Sequence, residues 1–531
     1  PSVEIVPERY MVRMHSPHRP LAMVVAALVF WLINTTSFAQ TMVTDLSTTG
    51  IDKRNVIFTD CPRLNDKPTV YGAECGTLQL AENPRQTAGK QIVLNIMRVP
   101  AIEDSQLPPI FFLAGGPGQA STDIASVIRQ QFSSLLKNHD FVFVDQRGTG
   151  FSNPLNCDSD PFKTASLPPL EAALLANEKL QQCIDGYDSD LSFYTTPYAV
   201  KDLERVRLAL GYQSINMWGA SYGTRVILEY LRQYPNAINR AVLDGVAPVA
   251  IELPTHVIAD SSRSLAKVFE HCRQQPQCRT NFADLQSRWM TLLTTLKKQP
   301  QRIELKHPRT EKSRQVYIDD VVISSWVRFS LYVRDLTAII PLAINRAINA
   351  DFSMLYSMQA LGLDSVNPGI SEVMQFNILC AEDNQYRHHQ QALGQKGHFS
   401  LLSAVDNGVF DTSCKMISSR IADRAYFDPP QSEVPVLLLS GDIDPATPPH
   451  WAERVKEGLP QSQHIIVAGG HHNVSGLGCM PKLIQQFYSL KNATLIDTNC
   501  IKNVMPNHYF IDSAGPGLLS PATDGRRDSG D

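Results

Sequence analysis

Hydrophobic and polar positions alternate in a regular way from about residue 91 onward. Gln91–Val99 alternates apolar and polar side chains, as a half-buried strand does. Residues 109–114 and 140–145 are short apolar runs ending in Gly-rich or charged turns, which suits buried parallel strands. A helix is predicted over 199–210 and stopped by Gly211, followed by a strand over 214–218. A second helix, 222–234, carries Val226, Ile227, Tyr230 and Leu231 on one face, and 240–243 is a further strand. Strands alternating with helices of this length predict an α/β fold with a doubly wound, mostly parallel sheet.

From 247 to 433 the pattern changes to amphipathic helices, at 260–271, 282–298, 319–332 and 339–350. The sheet pattern then resumes with a strongly apolar strand over 434–440, a helix over 450–458 and a strand over 464–468. The expected organisation is therefore a core in two parts, 40–246 and 434–512, interrupted by a large helical cap at 247–433. Such a cap would sit over the strand ends, where open α/β sheets bind ligands. The tail, 513–531, is rich in Gly, Pro, Ser and Asp and is expected to be disordered.

Composition narrows the class without changing this picture. With 531 residues the chain is too long for one ordinary core, which agrees with a domain carrying a large insertion. A net charge of −4 with no long basic run offers no electrostatic footprint for nucleic acid. Residues 1–39 read as a signal peptide region: Arg13 and Arg19 flank Met14, and an apolar run follows over 21–33. That run suits a signal h-region and is short of the roughly 20 residues a spanning helix needs. Ser37-Phe38-Ala39 resembles a cleavage site, so the expectation is export to the periplasm or the extracellular space, with no stable membrane insertion after cleavage. Ten cysteines follow, an even number, with no paired CxxC of a zinc site. In an exported chain they predict disulfides between sequence neighbours: Cys61–Cys75, Cys157–Cys183, Cys272–Cys278, Cys380–Cys414 and Cys479–Cys500.

Four short stretches carry chemistry. Gly219-Ala220-Ser221-Tyr222-Gly223 fits G-x-S-x-G between a predicted strand and a predicted helix. In that context the serine sits on a strained turn, the flanking glycines avoid clashes, and the helix N-terminus lies beneath a developing oxyanion. An acid and then a histidine should follow in chain order. Ser440-Gly441-Asp442-Ile443-Asp444-Pro445 supplies two carboxylates just past a strand end, and both Asp442 and Asp444 qualify by position. Gly469-Gly470-His471-His472-Asn473 supplies two histidines one helix and one strand later. Neighbours in sequence point apart, so one is expected to act and the other to be a bystander; no metal is called for. In Leu113-Ala114-Gly115-Gly116-Pro117-Gly118, glycines let the backbone approach a substrate carbonyl. An N–H near Gly116 would pair with that of Tyr222 as an oxyanion hole.

Together with Asp145-Gln146-Arg147-Gly148-Thr149-Gly150, these motifs resemble the proline iminopeptidase and tripeptidyl aminopeptidase family of α/β-hydrolase serine exopeptidases, from about Cys75 to Cys500. The resemblance implies removal of residues from peptides with a free N-terminus, by Ser221, Asp444 and His472 and without a cofactor. It selects Asp444, as the fourth residue of the Gly-x-x-Asp turn, and His472, which precedes a small or polar residue. Two positions depart from the family pattern: Ala114 stands where many members have His, and His471 where Gly is usual. The resemblance also implies that cap carboxylates hold the substrate amine, which points to Glu382 and, next to it, Asp383. Two other readings of the same residues are an esterase or amidase on this fold and a non-catalytic binding protein on a hydrolase scaffold.

Overall fold

The computed structural model describes residues 56–62, 70–157, 164–252, 255–366, 369–392, 410, 412–417, 419–421, 423–489 and 496–516. The expected signal segment, 1–39, and most of the expected tail lie outside these residues.

Nine strands form the main sheet: β1 (Thr59–Asp60), β2 (Glu74–Ala81), β3 (Gln91–Val99), β4 (Ile110–Leu113), β5 (Phe141–Val144), β6 (Ile215–Ala220), β7 (Ile238–Asp244), β10 (Val436–Gly441) and β11 (Ser462–Val467). Their spatial order is β1-β2-β3-β5-β4-β6-β7-β10-β11. β1, β2 and β3 pair antiparallel, and β3 joins β5 antiparallel. Every pairing from β5 across to β11 is parallel.

The apolar runs become central strands because both of their faces are covered. Phe111, Leu113, Val142, Val144, Met217, Leu243 and Leu438 point to one side. There they pack against Val200, Leu203 and Val206 of the helix Thr196–Ala209 and against Val226, Ile227, Tyr230 and Leu231 of the helix Tyr222–Gln233. Ile110, Phe112, Phe141, Phe143, Trp218, Val242 and Leu439 point to the other side, against Met480, Leu483, Ile484 and Phe487 of the helix Met480–Ser489. Adjacent residues thus feed opposite cores, the period of two that a strand imposes. At about 25 cal/mol for each Å² of apolar surface removed from water, every large side chain so buried contributes on the order of 2 kcal/mol.

The inserted segment has its own core and is not wholly helical. Helices Thr255–Gln274, Leu285–Lys298, Asp320–Leu331, Arg334–Ile348 and Ser353–Val366 pack around Phe269, Trp289, Trp326, Ile340 and Leu355. A two-stranded antiparallel hairpin, β8 (Gln301–Lys306) with β9 (Ser313–Ile318), lies within the stretch expected to be helical. Its alternation is short and its outer face is polar, so a helical reading of the flanking segments passes over it. The later part of the insertion returns to the sheet: Val373, Met374 and Ile378 belong to the core beneath the central strands.

All ten cysteines are paired, and each bridge joins sequence neighbours: Cys61–Cys75, Cys157–Cys183, Cys272–Cys278, Cys380–Cys414 and Cys479–Cys500. Among the described residues no helix is long and apolar enough to cross a membrane.

Candidate active site

The site is assembled at the C-terminal ends of β6, β7, β10 and β11. β6 ends at Ala220, and Ser221 follows with φ 55° and ψ −123°, ahead of the helix Tyr222–Gln233. A non-glycine residue in that region costs on the order of 1–3 kcal/mol and persists only where its surroundings hold it. Here the Ser221 N–H donates to the Asp244 carbonyl at 2.8 Å, and the Ser221 carbonyl accepts from the Thr224 N–H at 2.9 Å and its hydroxyl at 2.6 Å. The two flanking glycines are required by space. A Cβ on Gly219 would lie 2.5 Å from the Gly223 carbonyl oxygen, and one on Gly223 would collide with the backbone of Leu113.

The Gly-rich loop after β4 comes up against the serine. A Cβ on Gly115 would stand 3.0 Å from Ser221 Cβ and 3.5 Å from Oγ. Gly116 follows with φ 107°. The loop is held from above by the insertion, where the Ser371 N–H donates to the Gly118 carbonyl at 2.9 Å and the Ser371 hydroxyl to the Leu155 carbonyl at 2.6 Å. Behind it, Asp145 is buried and accepts from Asn95 Nδ2, from Thr122 and from the Phe151 N–H. Arg147 is buried in a bidentate pair with Asp202, both contacts at 2.7 Å. That motif therefore builds the loop's foundation.

The two carboxylates past β10 have different tasks. Asp442 accepts from the Gly469 N–H at 2.6 Å and lies 3.6 Å from Lys267, so it braces the turn. Asp444 is fully buried. It accepts from the N–H groups of Ala446 and Thr447 at 2.8 Å, from the Thr447 hydroxyl at 2.7 Å, and from His472 Nδ1 at 3.1 and 2.9 Å. Burial works against its charge, but the histidine and these hydrogen bonds outweigh it and hold the carboxyl below its ordinary value.

The adjacent histidines do point apart. His471 Nδ1 faces the Leu331 carbonyl at 3.1 Å and Thr337 Oγ1 at 3.4 Å, and burial pulls its pKa down to about 4. His472 turns the other way, to Asp444. Burial opposes its charge, while Asp444, with a further contribution from Asp244, raises its pKa above the ordinary value. A carboxylate on Nδ1 sets the tautomer and leaves Nε2 for proton transfer. The histidine loop is pinned by Asp244, whose carboxylate accepts from the N–H groups of Val474 and Ser475 at 2.8 and 2.9 Å. Gly245 leaves the ring room, since a Cβ there would be 3.3 Å from His472 Cε1. The insertion adds Tyr332, whose ring meets His472 edge-on with centroids 5.1 Å apart.

Glu382 and Asp383 are placed differently from what a waiting amine anchor requires. Both are buried, on a π-helical turn, Leu379–Asn384. Glu382 accepts from the Thr196 N–H at 2.8 Å and hydroxyl at 3.0 Å, from the Tyr426 hydroxyl, and from Arg225 Nη1 at 3.4 Å. Asp383 takes Arg225 in a bidentate pair at 2.8 and 2.9 Å. Both carboxylates are thus satisfied by protein donors. A cavity of about 220 Å³ lies beyond Arg225 and Tyr426, walled by Tyr386 and Phe427, and neither Ser221 nor His472 borders it.

Asp244 and Tyr332 join the site without having been expected from the sequence. Asp244-Gly245 at a strand end is a signal of the same kind as Gly441–Asp444. Tyr332 has none, because its contact with His472 exists only once the insertion folds back. Among the described residues no group of three His, Cys, Asp or Glu side chains is arranged to hold a metal ion.

This arrangement, on this sheet, is that of the α/β-hydrolase fold: residues 108–336 match the alpha/beta hydrolase fold model and residues 404–500 the TAP-like protein model. Among similar proteins, a tripeptidyl aminopeptidase of Streptomyces lividans is 29% identical over 188 residues, 33% of this chain and 35% of its own. The serine protease Hip1 of Mycobacterium bovis is 28% identical over 217 residues, 37% of this chain and 42% of its own. The chain thus spans about a third to two fifths of the length of these relatives.

Proposed function

We propose that the protein is a serine hydrolase working through an acyl-enzyme, and that it acts as an aminopeptidase on peptides with a free N-terminus. The observation that carries the chemistry is the pairing of His472 with buried Asp444, 2.9 Å apart, at the same strand ends as Ser221 on its strained turn. Ser221 Oγ attacks the scissile carbonyl and His472 Nε2 takes its proton. Asp444 holds the imidazole in the right tautomer and stabilises its charged form. The Tyr222 N–H, at the start of its helix, and an N–H near Gly116 receive the oxyanion. His472 then delivers the proton to the leaving amine, and water repeats the sequence to release the acyl group.

Peptide specificity rests on the names of the relatives, tripeptidyl aminopeptidase and serine protease. Export to an oxidising compartment, periplasmic or extracellular, rests on the five disulfides. An esterase or amidase is the second reading, favoured by the closed state of Glu382 and Asp383, which leaves no free carboxylate from that pair for an amine.

One experiment separates these. A fluorophosphonate should label Ser221, and a peptide library should be cleaved with free but not acetylated N-termini. Equal cleavage of both sets, or turnover of esters alone, overturns the aminopeptidase assignment. Absence of labelling at Ser221 overturns the hydrolase itself.

A further inference from the structure

The Glu382 cluster joins three segments that are far apart in sequence. Thr196 begins the helix Thr196–Ala209, Tyr222 and Arg225 lie in the first turn of the helix that follows Ser221, and Glu382 and Tyr426 come from the insertion. Thr196 grips Glu382 with both its N–H and its hydroxyl. Because that hydroxyl donates its only proton to the carboxylate, its oxygen is left to accept from the Tyr222 phenol, 2.6 Å away. A one-way chain therefore runs Tyr222 Oη–H to Thr196 Oγ1–H to the Glu382 carboxylate. Its far end is the side chain of the residue whose backbone N–H starts the helix beneath the oxyanion.

The charges favour this reading. Two carboxylates share one guanidinium, and Asp383 takes it in bidentate fashion while Glu382 has only the 3.4 Å contact. Glu382 is satisfied instead by an N–H and two hydroxyls, and burial pushes its carboxyl up against the pull of Arg225. Buried charge of this kind is often no more stable than an apolar replacement, so retaining it suggests a task other than stability.

Resting on Ser221 as nucleophile and the Tyr222 N–H as oxyanion donor, we infer that Glu382 is a positioning residue: through Thr196 it orients Tyr222, and with it the oxyanion side of the site. It does not bind the substrate amine. Glu382→Gln keeps the shape but puts an NH2 among groups that all donate, so the chain must reverse or break. Rates are taken per active site, titrated with a fluorophosphonate, on a free-amine peptide and on a small activated ester with no amine. Glu382→Gln should lower kcat on both substrates by about tenfold or more, with KM little changed; losing an oxyanion donor outright costs about 100- to 1000-fold. Thr196→Val should do the same, Thr196→Ser should restore activity, and the Thr196→Val/Glu382→Gln double variant should be no worse than the poorer single, because both break one chain.

If Glu382→Gln does not fold, Thr196→Val against Thr196→Ser decides the matter. Unchanged kcat per titrated site with a lowered Tm means the cluster only supports the fold and overturns the inference. A loss confined to the free-amine peptide makes Glu382 an amine anchor and overturns it equally. Should Ser221→Ala retain full activity, the underlying reading of the site falls first, whatever the Glu382 variants do.

Discussion

Asp244 holds both Ser221 and the loop that carries His472. Its carbonyl oxygen takes the Ser221 N–H at 2.8 Å, and its carboxylate takes the N–H groups of Val474 and Ser475 at 2.8 and 2.9 Å. One residue at the end of β7 therefore ties the turn of the proposed nucleophile to the loop of the proposed base.

Asp244→Asn tests that role. The amide offers one acceptor where two backbone donors point, so one N–H is left facing an NH2. An unmatched buried donor costs about 1–3 kcal/mol, so stability should fall by that order. Activity should fall further than stability explains, because the His472 loop shifts. Equilibrium denaturation alongside kcat measures both; loss of stability with kcat intact would mean that Asp244 only supports the fold.

The triad variants should behave as one unit. Ser221→Ala, His472→Ala and Asp444→Asn are each expected to lower kcat by orders of magnitude, and any pair by little more than the worse single. His471→Ala should be much milder, since His471 faces Leu331 and Thr337. Steady-state kinetics on the purified variants checks this. The opposite ranking of the two histidines would move the base by one residue.

The pH dependence follows from the opposed shifts of the two histidines. His472 must be neutral to accept a proton, and its pKa is raised, so the acid limb of kcat/KM should lie above pH 6.5. Asp444→Asn should move that limb down, along with lowering the rate. Asp444 has a lowered pKa, so its stabilisation is present above the unfolded carboxyl value of about 3.9 and is lost as pH falls through the folded one. His471 is held near 4, so the unfolded chain binds its proton first, and stability should decline as pH falls from about 6.5 toward 4. Denaturation of His471→Gln over that range should show a flatter decline. An unchanged slope would mean that other groups carry it.

Much of this protein was legible along the chain, for a physical reason in each case. The apolar runs at β4, β5, β6 and β10 are buried on both faces, and such strands leave an unbroken hydrophobic signature whatever surrounds them. The turn at Ser221 needs glycine at 219 and 223 because backbone passes within contact distance, and a spacing forced by local sterics shows in the sequence. The hairpin of β8 and β9 was not legible, because its short, largely exposed strands alternate too weakly to stand out among helices.

What only the tertiary structure supplies is the surroundings in which like residues differ. Asp442 and Asp444 are two positions apart on one turn, as His471 and His472 are one apart on another, and in the sequence only the family resemblance separates them. Burial and partners do: Thr447 and His472 surround Asp444, while Lys267 and Gly469 meet Asp442. The same holds for Glu382, which the resemblance reads as an amine anchor but which is buried against Thr196, Arg225 and Tyr426. A side chain's chemistry is written in its residue type. Its protonation, orientation and access to substrate come from groups elsewhere in the chain, and the fold alone brings those together.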